Sequence, residues 1–360
     1  MTKVVIAAGG TAGHVVPALA VADALRDEGA EVVFVGGQRA EADLVPAAGY
    51  PLREIRVEGL SRTNPLKAAR AAARALRAVG AARRILRDER ADVVMGGGGY
   101  VAGPVGAAAL ARRTPLVLTE ADSHLGLTNR LLASRARRVC LAFPLAGREG
   151  GRYLVTGRPV PPAVRDRAAA RSRFGLSDGD VCLLVFGGSL GARSLNEATI
   201  AAYGTDPAPG IAGFRVLHAA GRRDHEQLVA RLGTPPPAHY DLRPYIERFG
   251  EALLACDLCV ARSGGSVFEI AAAGRPAVLV PYPHAAADHQ TSNARWMVDA
   301  GAAVLVPDAE LDAERLRTEV GALLGDPDRL AAMAAASAAP ARPDAARVIA
   351  AEVLAAARAA

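Results

Sequence analysis

Aromatic side chains are scarce in this chain: one Trp, seven Tyr and seven Phe make up 4% of its 360 residues, although 51% are apolar. Ala, Val and Leu must therefore supply the core, as small-residue helices on a parallel sheet require. Lysine is confined to positions 3 and 67, and Asn and Gln occur four and three times. The net charge of +6 and pI near 9.4 are thus an arginine bias spread over the chain. No nucleic-acid-reading motif accompanies it, so no nucleic-acid partner is expected. Only four cysteines occur, at 140, 182, 256 and 259, which excludes a disulfide scaffold and fits a reducing cytoplasm. Cys256 and Cys259 have zinc-like spacing but no second pair to join. Residues three apart on a strand point to opposite faces, so buried structural thiols are expected there.

Long apolar runs are also missing. The longest uncharged stretch, Val93 to Ala111, has the 19 residues of a membrane span but holds six glycines and Pro104. It reads as strand, glycine loop and small-residue helix. The Met1-Thr2-Lys3 start and the short run behind it do not resemble a signal peptide.

What the chain does have is a phrase used twice. Val4–Ala8 leads into Gly9-Gly10-Thr11-Ala12-Gly13-His14, and Val181–Phe186 leads into Gly187-Gly188-Ser189-Leu190-Gly191-Ala192-Arg193. A buried strand, a glycine turn bearing a hydroxyl, then a helix is an anion-handling turn, with backbone N–H groups and the helix dipole facing a phosphate. Two such turns imply two similar α/β domains whose strand ends face a shared cleft. Further strands are expected at Val32–Gly36, Val93–Met95, Leu116–Thr119 and Arg138–Leu141 in the first half. The second half should carry them at Phe214–Ala219, Leu258–Ala261, Ala277–Val280 and Ala303–Val306. Such alternation predicts two parallel sheets. Pro17–Glu28 and Pro65–Asp88 should be helices, with Pro17 in a first turn. The expected division is 1–157, a proline-rich linker 158–162, 163–342, and a terminal helix 343–360 opened by Pro343.

His14, at the start of a helix, can take a proton from a substrate hydroxyl, the helix dipole favouring its neutral form. Gly96–Gly99 before Tyr100 suggest close backbone approach by a ligand at a strand end. Glu120, Asp122 and His124 suggest a charged rim, and Asn129 nearby has no evident structural reason. In the second half, Gly264, Gly265 and Ser266 would offer N–H groups to a diphosphate. Glu269 would accept hydrogen bonds from vicinal ribose hydroxyls, and Asp288 and Gln290 would read a sugar. Asp178-Gly179-Asp180 resembles a metal signature but sits before a strand, at the wrong end of the sheet, so no catalytic metal and no cofactor are expected.

These motifs fall in order from residue 4 to about 305, and together they resemble the MurG family. The resemblance implies a GT-B fold, two Rossmann-like parallel-sheet domains facing across a cleft, and a metal-independent, inverting transfer. N-acetylglucosamine would pass from UDP-N-acetylglucosamine to a lipid-linked N-acetylmuramyl-pentapeptide in peptidoglycan synthesis. It places Thr11, Ala12, Gly13 and Asp122 near the donor, His14 as base, and Ser189 at the diphosphate. Ile246 would lie beside the uracil, Glu269 on the ribose, and Gln290 with Asp288 on the sugar. Gly97, Gly98, Gly99, Tyr100 and Asn129 would serve the acceptor. The implied location is the cytoplasmic face of the membrane, peripherally bound, with other cell-wall enzymes as possible partners. The helix Pro65–Asp88, with Lys67, Arg70, Arg74, Arg77, Arg83, Arg84 and Arg87, is the candidate contact with anionic lipid, or else a solvated face. Glu120-Ala121-Asp122 and Gly157-Arg158-Pro159-Val160-Pro161 depart from the family's Glu-Gln-Asn and Gly-Asn-Pro-Val-Arg. Another UDP-sugar enzyme of the same fold, such as an epimerase, or a sensor that does not need His14, shares part of this pattern.

Overall fold

The computed structural model describes residues 1–57, 65–161, 164–188, 191–285 and 288–359, with backbone only for 65–75. They form two compact units, Met1–Pro161 with Arg342–Ala360, and Pro162–Ala341.

The strands of the first unit are β1 (Lys3–Ala7), β2 (Glu31–Gly36), β3 (Leu52–Glu54), β4 (Val93–Gly96), β5 (Leu116–Glu120), β6 (Arg138–Leu141) and β7 (Tyr153–Val155). Its helices are α1 (Ala12–Asp27), α2 (Ala40–Ala47), α3 (Pro65–Asp88), α4 (Gly99–Arg112), α5 (Leu127–Leu132) and the terminal α14 (Ala345–Arg358). The sheet runs β3-β2-β1-β4-β5-β6-β7, all parallel. Alternate residues of β1 enter different cores: Val4 and Ile6 pack with α1 and α14, Val5 and Ala7 with α3 and α4. Both faces being covered, the strands read as continuous apolar runs. The order reverses between β1 and β4, the switch point where open α/β sheets place ligands.

The second unit repeats the plan. Its strands are β8 (Val181–Phe186), β9 (Phe214–Ala219), β10 (Tyr240–Arg243), β11 (Leu258–Ala261), β12 (Ala277–Leu279) and β13 (Ala303–Leu305). They pair in parallel in the order β10-β9-β8-β11-β12-β13. The switch point here lies between β8 and β11. Among its helices are α6 (Arg167–Arg173), α7 (Arg193–Tyr203), α8 (His225–Leu232), α9 (Phe249–Ala255), α10 (Ser266–Ala272) and α11 (His289–Asp299). The helices α12 (Ala313–Leu324) and α13 (Pro327–Ala338) complete it.

Several sequence expectations are corrected. Helix α1 starts at Ala12, so Pro17 stands inside it, not in its first turn. Helix α14 starts at Ala345 behind Asp344, leaving Pro343 just outside. Cys256 belongs to the end of α9, not to a strand, and its Sγ lies 3.5 Å from that of Cys259. All four cysteines are buried free thiols. Asp180 is a turn residue, its carboxylate accepting from the Ser177 N–H at 2.7 Å on the way into the start of β8.

Candidate active site

In the first unit, β1 runs into Gly9-Gly10 and α1 opens with Thr11 as its N-cap. The Thr11 hydroxyl does not cap the helix; its Oγ1 lies 3.4 Å from His14 Nδ1. His14 is half-buried in that first turn. Burial pushes its pKa below the ordinary 6.5, Asp122 and Glu41 pull it up, and Arg158 pushes it down. Desolvation, the largest of these effects, favours the neutral ring.

The glycine run, expected to mark the approach of a ligand, is also required by packing within the fold. A Cβ on Gly98 would lie 2.6 Å from His14 Cδ2, and one on Gly99 only 1.9 Å from the Gly9 carbonyl oxygen. Both residues have positive φ, +92° and +77°, which L side chains rarely adopt. Gly96 and Gly97 are likewise pressed against Leu118 and Ala8. The two glycine turns thus interlock, and the second seats the imidazole of the first. Tyr100 follows at the start of α4, its hydroxyl donating to Glu41 Oε1 at 2.8 Å and its pKa pushed up to about 12 by burial and that carboxylate.

The expected charged rim after β5 is also corrected. Glu120 turns inward and is buried, accepting from Gly126 N–H (2.8 Å), Asn129 Nδ2 (2.9 Å) and Asp122 N–H (3.3 Å). Burial, with Asp122 adding to it, raises its pKa despite those donors. Asn129 has a structural reason after all, donating also to the Thr119 carbonyl at 3.0 Å. Asp122 itself is only half-buried.

Sequence reasoning missed two residues. Arg158 is buried, and its guanidinium donates to the Gly13 carbonyl and, at 3.4 Å, to that of Ala121. Pro17 has no N–H, so the carbonyl four residues back, that of Gly13, lacks its helical donor; Arg158 supplies one. His14, Thr119, Glu120, Ala121, Gly97 and Arg158 line one pocket. Glu41 is the second residue, fully buried beneath the glycine turns. Only a Pro inside a helix, with an Arg far along the chain, hinted at the first; nothing local marked the second.

In the second unit, Ser189 lies outside the described residues. Past it, Gly191 has no room for a side chain, since a Cβ there would lie 2.1 Å from the Ala220 carbonyl oxygen. Past β11, Arg262 is buried and ties three separate segments together. It donates to the Val280 and Pro281 carbonyls (3.1 Å each) and to Ser194 Oγ (2.8 Å), and pairs with Asp308 at 2.6 Å. Gly264 and Gly265 then lead into α10, where Ser266 is the first residue and Glu269 is half-buried one turn in. Ser263 Oγ donates to the Gln290 carbonyl at 2.7 Å, and Gln290 Oε1 accepts from Tyr282 N–H at 2.9 Å. That orientation sets Gln290 Nε2 near Gly264. Asp288 is exposed, with a φ of 51°, and accepts from Thr291 Oγ1 at 2.7 Å. Ile246 is buried. Of the predicted donor residues, Gly264 and Gln290 are thus neighbours, and Asp288 lies two residues before Gln290 on the exposed surface.

Two parallel-sheet units, each with glycine turns at its switch point, are the GT-B plan of glycosyltransferases. Residues 4–141 match the glycosyltransferase family 28 N-terminal domain, and residues 182–349 the family 28 C-terminal domain. A UDP-N-acetylglucosamine–N-acetylmuramyl-(pentapeptide) pyrophosphoryl-undecaprenol N-acetylglucosamine transferase of Moorella thermoacetica is 42% identical over 96% of this chain and 97% of its own. One from Alkalilimnicola ehrlichii is 44% identical over 96% and 97%. The crystal structure of Acinetobacter baumannii MurG matches with a TM-score of 0.77 at 31% identity, covering 98% of this chain and 99% of that one. The chain belongs to the MurG family. Among the described residues no helix is long and apolar enough to cross a membrane.

Proposed function

We propose that this chain transfers N-acetylglucosamine from UDP-N-acetylglucosamine to the 4-hydroxyl of undecaprenyl-pyrophosphoryl-N-acetylmuramyl-pentapeptide, with inversion at the anomeric carbon. The acceptor oxygen forms the new bond to that carbon, the bond to the UDP oxygen breaks, and UDP leaves with the electron pair. His14 takes the hydroxyl proton. The observation that carries this reading is the half-buried His14, held neutral and seated on Gly98 at the switch point of the first sheet.

In this reading Glu269 binds the ribose, Ile246 flanks the uracil, and Gln290 with Asp288 reads the sugar. Backbone groups of Gly264, Gly265, Ser266 and the Ser189 turn meet the departing diphosphate. Thr11, Ala12, Gly13 and Asp122 border the donor sugar, while Gly97–Tyr100 and Asn129 serve the acceptor. The lipid tail keeps the acceptor in a bilayer, so the first unit works at the membrane surface, peripherally and on the cytoplasmic face. The test is transfer from labelled UDP-N-acetylglucosamine to a short-chain analogue of the lipid acceptor by the purified chain. Hydrolysis or epimerisation of the donor with no acceptor product would overturn the reading.

A further inference from the structure

Glu41 is fully buried, one residue into α2, and no step of the transfer uses it. Its carboxylate accepts three hydrogen bonds from three separate segments. Gly10 N–H donates to Oε2 at 2.8 Å, and Gly37 N–H and the Tyr100 hydroxyl donate to Oε1 at 2.9 and 2.8 Å. The fit around it is close. A Cβ on Gly9 would lie 2.7 Å from Glu41 Oε1, one on Gly36 2.8 Å from its Cγ, and one on Gly37 2.0 Å from the Tyr100 oxygen. Arg39 covers the outer face of the Tyr100 ring, its guanidinium carbon 5.0 Å from the centroid.

A buried carboxylate is costly unless donors surround it. Here burial would raise its pKa, yet the hydrogen bonds from Gly10, Tyr100 and Gly37 hold it below the ordinary value, so it stays charged. The donors belong to the turn that precedes His14, to the loop after β2, and to the residue that follows Gly98 and Gly99. Those last two glycines in turn fix the His14 ring and the Gly9 carbonyl. The closed circuit runs Glu41, Gly10, His14, Gly98, Tyr100 and back to Glu41.

We infer that Glu41 is a positioning residue for the transfer reaction: it clamps the two glycine turns in the one register that aims His14 at the acceptor hydroxyl. This rests on His14 being the base. Misplacing a reacting group by about 1 Å costs on the order of a hundredfold in rate. The experiment compares wild type, Glu41→Gln, Gly37→Ala and His14→Ala. It measures kcat, the KM for each substrate, the affinity for UDP, the acid limb of the pH–rate profile, and thermal unfolding.

Glu41→Gln keeps the size but surrenders one acceptor and the charge. It should lose roughly 10- to 100-fold in kcat with an unchanged affinity for UDP, whose ribose and uracil contacts are assigned to the other unit. Its acid limb should move to lower pH, because one of the groups that raise the His14 pKa is gone while Asp122 and Arg158 remain. Loosened packing alone would let water back to the imidazole and move that limb the other way, to higher pH. Gly37→Ala, which must push Tyr100 off Glu41 while leaving the charge, should lower kcat without moving the limb to lower pH, and it decides the matter if Glu41→Gln does not fold. Wild-type kcat in the folded variants, beside an inactive His14→Ala, would overturn the role of Glu41 alone. An active His14→Ala would overturn the base assignment and this inference with it.

Discussion

Burial lowers the pKa of His14 against the pull of Asp122 and Glu41, so at neutral pH its ring has one proton and one lone pair to offer. The acid limb of kcat/KM should therefore fall below pH 6.5, activity being lost as the imidazole protonates. His14→Ala should lower turnover by roughly 10²- to 10⁴-fold, the usual worth of a positioned base, with UDP affinity little changed. Glu269→Ala should do the reverse. Loss of charge-assisted hydrogen bonds to the ribose should weaken UDP binding by about 2–3 kcal/mol, read by calorimetry. Unchanged affinity would place the ribose elsewhere. Asn129 and Glu120 show what residue-scale reading leaves out. A scarce Asn and a cluster of acids looked like a binding rim, but one pairs with the other inside the fold.

At the scale of elements, α3 spans the expected Pro65–Asp88. Ala78, Ala82 and Leu86 are buried, while Leu76, Arg77, Arg83, Arg84 and Arg87 are exposed; the side chains of Lys67, Arg70 and Arg74 lie outside the described residues. An exposed leucine beside arginines on one helix suits an anionic bilayer, where each charge contributes on the order of 1 kcal/mol and salt screens it. Reversing Arg77, Arg83 and Arg84 to Glu should release the protein from anionic vesicles in a sedimentation assay. It should also slow transfer to a vesicle-embedded acceptor while sparing a soluble one. Equal vesicle binding at low salt would make α3 a solvated face. Strands β3, β7 and β10 were not legible in the sequence, because each is a short sheet edge. Leu52-Arg53-Glu54 buries too little to leave an apolar run.

At the scale of the molecule, each of the two sheets leads at its switch point into glycine turns, whose backbone N–H groups are the proposed diphosphate contacts. If these meet the diphosphate's charge, activity should persist in excess EDTA; a strict need for magnesium or manganese would count against it. The repeated strand–turn–helix plan was determined by the sequence alone, since an apolar run, a glycine turn and a helix start are neighbours along the chain. The placement of His14, Gly264–Ser266 and Glu269 at helix starts behind strands was legible for the same reason. Tertiary structure alone decided what holds them. Glu41 lies 31 residues from Gly10, and Arg158 lies 145 from Gly13. A buried carboxylate acquires its donors, and a carbonyl freed by proline its guanidinium, only when the order of strands in the sheet brings such distant segments together.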